Sequence, residues 1–302
     1  MRFMMLIKSD EQSEAGVMPD EKLVSEMVKY NEDLVKAGAL LAAEGLHQTS
    51  KGARIKFSGG KPTVTPGPFA RAGEAIAGYW IIQVKSKQEA IDWARRIPFE
   101  AGETPANSDG VGEVEVRQIF ELEDFPVSAE ESGWREKEAE FREGSAQSPA
   151  VDPKLKRFVI FRKADKDTEA NVAASEELLA AMGAYNEEGI NAGVFLAGEG
   201  LQPSSKGARV RYSRGKRTVI DGPFADSKEL IAGFTMLQAP SKEEALAWAK
   251  RWPALDSGGE VELELRQVFG EDDFGAEFTP ELREAEARQR AQIAAQQWPP
   301  EH

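Results

Sequence analysis

"YNEDLVKAGALLAAEGLHQTSKGAR" runs from Tyr30 to Arg54, and "YNEEGINAGVFLAGEGLQPSSKGAR" from Tyr185 to Arg209. Fifteen of the twenty-five aligned positions are identical, so the chain carries one unit twice. The same spacing of 155 residues lays Arg2-Phe3 on Arg157-Phe158, Gly67 on Gly222 and Trp93 on Trp248. Past Pro98 and Pro253 the spacing falls to 149, and "EVRQIFELEDF" (Glu115–Phe125) lies over "ELRQVFGEDDF" (Glu264–Phe274). The second copy is shorter by six residues, opposite "FEAGETPANSDGVG". Loops absorb such deletions because no ladder or core is broken there. Two long units exclude a solenoid, which needs shorter and more numerous repeats.

Working outward, each unit reads in one order. "RFMMLIK" is a strand, and Asp20 to Ala37 has helical apolar spacing through Leu23, Met27 and Leu34 before stopping at Gly38. "LLAAEGLH" follows as a strand, with Leu40, Ala42, Glu44 and Leu46 expected on one face. "ARIKF", Gly59-Gly60 and "PTV" make a hairpin. After a Gly-Pro-Phe loop come the strand "AGYWIIQVK", a helix capped by Ser86 and ended by Pro98, and the closing strand "EVEVRQIF". Without the hairpin this is βαββαβ, the ferredoxin-like arrangement. Two helices cover one face of such a sheet, and the second copy is the nearest partner for the other, since linkage raises its effective concentration. The expected fold is α+β: two ferredoxin-like domains, each with an inserted hairpin, packed sheet to sheet as a pseudo-dimeric barrel. Copy one spans 1–126, a charged helical linker 127–154, copy two 155–275, and a charged helix and tail 276–302. The linker helix is read over 128–144. The tail helix starts at Thr279-Pro280 and, with little apolar periodicity, is expected to be solvated.

The formal net charge of −14 opposes binding to nucleic acid or to an anionic membrane surface, because a uniformly acidic field repels both. Arg209, Arg211, Arg214, Lys216 and Arg217 cluster on a hairpin, where a solvated sheet edge is the simpler reading. With no cysteine, disulfides and thiolate chemistry are excluded. No cofactor or metal site is expected, since the two histidines are unrelated by the repeat. The first residues turn acidic too soon for a signal peptide, so a cytoplasmic location is expected.

"DGPFADSKELIAGF", "SKEEALAWAKRWP" and "VELELRQVF" resemble the YCII-related family, in particular its DGPF subgroup. The resemblance covers both copies and implies a ferredoxin-like dimeric α+β barrel. Some members of that family act on small aromatic or lactone compounds through a His–Asp pair. Here His47 faces Gln202 across the repeat and His302 is terminal, so that pair is not expected to carry over.

Candidate site residues come from strand alternation. On the closing strands, Glu115 and Arg117, with Glu264 and Arg266, point opposite to Val114, Val116, Leu263 and Leu265, and so into the barrel. Glu44 and Glu199 sit among apolar neighbours. Such a carboxylate is either paired with a cation or has a raised pKa suited to general acid–base work. Asp221 precedes the second Gly-Pro-Phe, where the first copy has Pro66, and is either a turn residue or a pocket rim. The catalytic candidates are Asp221, Glu199 and Arg266; Glu44, Glu115, Arg117 and Glu264 are candidates for ligand binding. The expected function is small-molecule binding in a barrel cavity, with lyase or isomerase chemistry in copy two. The alternative is a non-catalytic assembly or regulatory module with a protein partner. The halves are expected to form an intramolecular pseudo-dimer, with further homo-oligomerisation open.

Overall fold

The computed structural model describes residues 1–69, 73–99, 112–124, 151–213, 215–225, 229–275 and 278–295. The expected linker helix, Arg214 and His302 lie outside the described residues. Copy one comprises β1 (Arg2–Lys8), α1 (Glu11–Glu14), α2 (Glu21–Lys36), β2 (Leu40–Gly45), β3 (Ala53–Ser58), β4 (Lys61–Pro66), β5 (Ile76–Gln83), α3 (Lys87–Ala94) and β6 (Gly112–Gln118). Copy two repeats the order as β7 (Lys156–Lys163), α4 (Lys166–Glu169), α5 (Glu176–Asn191), β8 (Phe195–Gly200), β9 (Ala208–Ser213), β10 (Lys216–Asp221), β11 (Ile231–Ala239), α6 (Lys242–Ala249) and β12 (Glu262–Gln267). A last helix, α7 (Pro280–Ala295), follows.

Local signals account for these elements. Asp20 accepts from the Leu23 N–H and Ser86 from the Glu89 N–H, each supplying one acceptor for the free donors of a first helical turn. Gly38, at φ +67, carries the chain out of α2, and Gly59-Gly60 take the positive φ values a tight hairpin requires. α1 and α4 were not anticipated. Asp10 and Asp165 cap them, with Ser13 and Thr168 bonding back to the capping residue. Their sequence signature is the acid followed three residues later by a hydroxyl.

All strand pairings are antiparallel, in two sheets ordered β10-β9-β6-β1-β5-β2 and β4-β3-β12-β7-β11-β8. Within them, β6-β1-β5-β2 and β12-β7-β11-β8 have the ferredoxin-like order. The hairpins, however, are exchanged: β3–β4 of copy one pairs with β12, and β9–β10 of copy two pairs with β6. The crossing begins just after β2, where the His47 N–H donates to the Gln267 carbonyl and Leu46 bridges Val268. Gln202 and Leu201 repeat it with Gln118 and Ile119. These bridges join the two sheets into a barrel.

Met4, Leu6, Tyr79, Val159, Phe161 and Phe234 fill the centre between the sheets. Separate apolar clusters lie beneath the helices, around Phe3, Leu34, Trp80 and Trp93 in one half and around Phe158, Phe195 and Trp252 in the other. The expected common face on β2 is corrected by a bulge. The register shifts between Leu40 and Ala42, sending Leu40 into the helix-side core while Glu44 stays opposite Tyr79. The same shift separates Phe195 from Ala197.

The tail helix is docked rather than solvated. Ala285 and Gln289 of α7 are buried, and the Gln289 side chain donates to the Val28 carbonyl of α2 at 3.0 Å. Ile293 continues the stripe against the first core. Its buried positions are small or polar, which is why hydrophobic periodicity did not reveal it.

Candidate functional site

Glu115 and Arg117 lie opposite Leu6 and Met4 on β1, on the face turned to the other sheet. Glu115 is 1% exposed and bonds Arg117 at 2.9 Å and Arg209, from the exchanged hairpin, at 3.1 Å. Arg117 also donates to the Gln202 carbonyl at 2.6 Å and pairs with Glu169 of α4 at 3.4 Å. Copy two repeats the arrangement. Glu264 meets Arg266 at 3.0 Å and Arg54 at 3.8 Å, and Arg266 donates to the His47 carbonyl at 2.6 Å. Burial alone would raise both glutamate pKa values. For Glu115 it is outweighed by Lys8, Arg117 and Arg209, and for Glu264 by Lys163, Arg266 and Arg54, so both fall below the ordinary value. They are therefore ionised members of buried charge clusters, each assembled from both copies.

Glu44 and Glu199 are each ion-paired across the copies, Glu44 with Arg157 and Glu199 with Arg2. Their side chains are about one-eighth exposed, at 12% and 14%. Arg2 has a second carboxylate, Glu121, at 2.8 Å. Gly270 stands at that position in copy two, and among the described residues Arg157 adds only the Phe269 carbonyl, at 3.2 Å.

Asp221 ends β10 with its side chain 72% exposed, 2.7 Å from the Lys87 ammonium at the start of α3. In the other half, Pro66 leaves no acid, and the equivalent Lys242 donates to the Gly52 carbonyl at 2.6 Å instead. The structure thus places Asp221, Glu199 and Arg266 in three separate settings, with no contact that unites them. The rest of the Gly-Pro-Phe loop is architectural in both copies. A Cβ on Gly67 would drive into the Thr49 carbonyl, and one on Gly222 into that of Ser204. Both Gly-Pro bonds are cis. Phe224 is buried beneath Arg209, whose guanidinium lies 4.1 Å from the ring centre; Phe69 is half-buried, 5.0 Å from Arg54.

His47 acquires an acidic neighbour that the repeat did not suggest. Its Nε2 lies 3.0 Å from Asp273 Oδ2, without the geometry of a regular hydrogen bond, and its ring sits 4.1 Å from that of Phe269. Asp273 comes from copy two, so only the crossing of the chain brings the two together. Burial lowers the His47 pKa despite the carboxylate. Tyr30 and Tyr185 donate to the Trp93 and Trp248 carbonyls at 3.1 Å, with burial raising both pKa values, as packing residues would.

A cavity of about 560 Å³ opens in copy one and not beside Asp221. It lies between α2 and the helix-covered side of the first sheet, reaches round the β2 edge, and is bordered by α7. Leu23, Met27 and Trp80 supply apolar walls, and Phe274 and Phe278 close it from the copy-two side. Most of the wall is apolar, and charged residues, among them Asp10, Glu44, Glu113, Arg211, Glu286 and Arg290, also line it. Ser9, only 4% exposed, belongs to the wall, and its hydroxyl is buried without a hydrogen-bond partner among the described residues. Asn31, also on the lining, accepts from the Trp80 indole at 2.8 Å. Sequence reasoning missed the site because its walls come from β1, α2, β5 and α7, which only folding brings together. Among the described residues no cluster of metal-ligating side chains occurs, and no helix is long and apolar enough to cross a membrane.

Fold and site together define a class: a tandem ferredoxin-like α+β barrel in which each half completes the other's sheet. The model of the YCII-related domain matches residues 1–123 and 157–268, and the chain belongs to that family. It is also similar to "Uncharacterized protein R00369" of Rhizobium meliloti (strain 1021), with 33% identity over 75 residues. That match covers 25% of this chain and 60% of the curated relative's length.

Proposed function

We propose that the chain binds one small, largely apolar molecule in the copy-one cavity. The observation that carries this reading is the space itself, about 560 Å³ and walled mostly by apolar side chains from α2, the first sheet and the copy-two side. The volume is in the range of small-molecule sites, which combine apolar walls with a few fixed polar groups. The centre between the sheets is filled by apolar side chains, so the proposed site is beneath α2.

Acid–base chemistry by the closing-strand glutamates has less support, since both are held ionised by arginine and lysine. The test is a thermal-shift screen of small apolar compounds against the wild-type chain and Met27→Trp, which fills the cavity from α2. Compounds that stabilise wild type and lose their effect in a folded Met27→Trp support the reading. No stabilising compound, or compounds indifferent to the substitution, would overturn it.

A further inference from the structure

We infer that the outer edge of β10 pairs with β10 of a second molecule of this chain, antiparallel about a two-fold axis at Val219, so that two barrels join as a homodimer. This surface is separate from the cavity and does not depend on it. β10 and β4 are the outermost strands of their sheets, and among the described residues no strand lies beyond either. The β9–β10 turn closes with Ser213 opposite Lys216, and the Gly222 N–H donates to the Gly207 carbonyl. Lys216, Thr218 and Ile220 therefore turn their backbone groups toward β9, and the alternate residues Arg217, Val219 and Asp221 turn theirs outward. Among the described residues, no acceptor outside β9 receives the Val219 or Asp221 N–H. Val219 and Ile220 are each 37% exposed, among the large apolar side chains left at the surface.

The repeat supplies an internal comparison. β4 is the equivalent edge, and it carries Pro62 where β10 has Arg217 and Pro66 where β10 has Asp221. Its register is the same, with Ser58 opposite Lys61 and the Gly67 N–H on the Gly52 carbonyl, so both prolines stand at outward positions. Proline has no N–H to offer, and on an edge strand it prevents the addition of another strand. Copy one thus closes both ends of its edge, while copy two has an N–H-bearing residue at each. Ile220 also replaces Thr65, which makes the copy-two edge the more apolar of the two.

The residues of β10 complement their own reversal. An antiparallel pair brings outward positions opposite one another, each pair exchanging N–H···O bonds. With Val219 on the axis, Arg217 lies opposite the partner subunit's Asp221, and Asp221 opposite the partner subunit's Arg217. Opposite charges then meet at both ends and valine meets valine in the middle, and cross-strand pairs of both kinds are favourable. The charged groups share one face of the sheet. Arg217 donates to the Arg95 carbonyl at 2.8 Å and Asp221 reaches Lys87 at 2.7 Å, at the two ends of α3.

Sedimentation velocity on the full chain tests the pairing. One strand pair is a small interface beside the about 1,200–2,000 Å² of stable complexes, so wild type should pass from monomer at about 1 μM to dimer at about 100 μM. Arg217→Pro with Asp221→Pro gives β10 the residues of the β4 edge, and should stay monomeric over that range with unchanged far-UV circular dichroism. Arg217→Asp sets like charges opposite each other and should weaken dimerisation about tenfold or more. Adding Asp221→Arg to it restores opposite charges and should recover the dimer. Should the proline pair not fold, the charge swap decides alone. A monomeric wild type, a dimer that survives the proline pair, or a charge swap that fails to recover dimerisation would overturn the inference.

Discussion

Arg2, in the first strand of copy one, is ion-paired with Glu199, at the end of β8 in copy two. Arg157 and Glu44 repeat the pair with the copies reversed, so two charged clasps hold the halves together. They differ in reserve, because Arg2 keeps Glu121 when Glu199 is neutralised, whereas among the described residues Arg157 keeps only a carbonyl. Glu44→Gln should therefore destabilise more than Glu199→Gln, by about 3 kcal/mol against about 1 kcal/mol in urea melts, because an abandoned buried charge is the expensive outcome. Equal losses would show that Glu121 does not compensate.

Acid should loosen the barrel through its interior glutamates. Glu115 and Glu264 have folded pKa values below the ordinary 4.5, so as pH falls the unfolded chain takes up their protons first. Their contribution is complete above about pH 5 and is lost as pH falls through the folded values. Thermal melts between pH 7 and pH 3 should show Tm dropping below about pH 5, less steeply in Glu264→Gln. An unchanged slope in that variant would assign the acid sensitivity elsewhere.

His47 adds a separate dependence at higher pH. Its folded pKa is lowered from 6.5 by burial, although Asp273 opposes the shift and Lys51 assists it. The unfolded chain therefore binds this proton first, and stability declines as pH falls below about 6.5 until the folded residue also titrates. His47→Gln, which installs the residue found at Gln202, should flatten the Tm profile just below about pH 6.5. A profile identical to wild type would count against the buried neutral imidazole.

The Gly-Pro-Phe loops predict a graded series. Asp221→Asn disturbs an exposed pair with Lys87 and should change stability by less than about 1 kcal/mol. Phe224→Ala removes a buried ring and should cost about 3 kcal/mol, with a smaller loss for the half-buried Phe69→Ala. Chemical denaturation of the three variants orders them directly. An Asp221→Asn loss as large as that of Phe224→Ala would make the acid a structural turn residue.

The exchanged hairpins make each half incomplete. Residues 1–126 alone would leave β6 without β9 and the β3–β4 hairpin without β12. Size-exclusion chromatography with light scattering should find this fragment dimeric or aggregated. A folded, strictly monomeric fragment would contradict the interdependence of the sheets.

Much of the molecule was legible in the residues themselves. Helix caps, Gly59-Gly60 and strand alternation are local, so they marked the elements and turned Glu115 and Arg117 into the barrel. Two aligned copies also made an internal partner for the open sheet faces predictable. The sheet edge chosen by each hairpin was not readable, because β3 presents the same backbone donors and acceptors to either closing strand. The choice depends on the path from Leu46 to Val268, which exists only when both halves are present. The bulge beside Leu40, the meeting of His47 with Asp273, and the docking of α7 have the same origin. Ile7 and Arg162 occupy one position in the repeat, but only the neighbourhood of Asp165, Asp256 and Ser257, which tertiary packing assembles, lets an arginine be buried there.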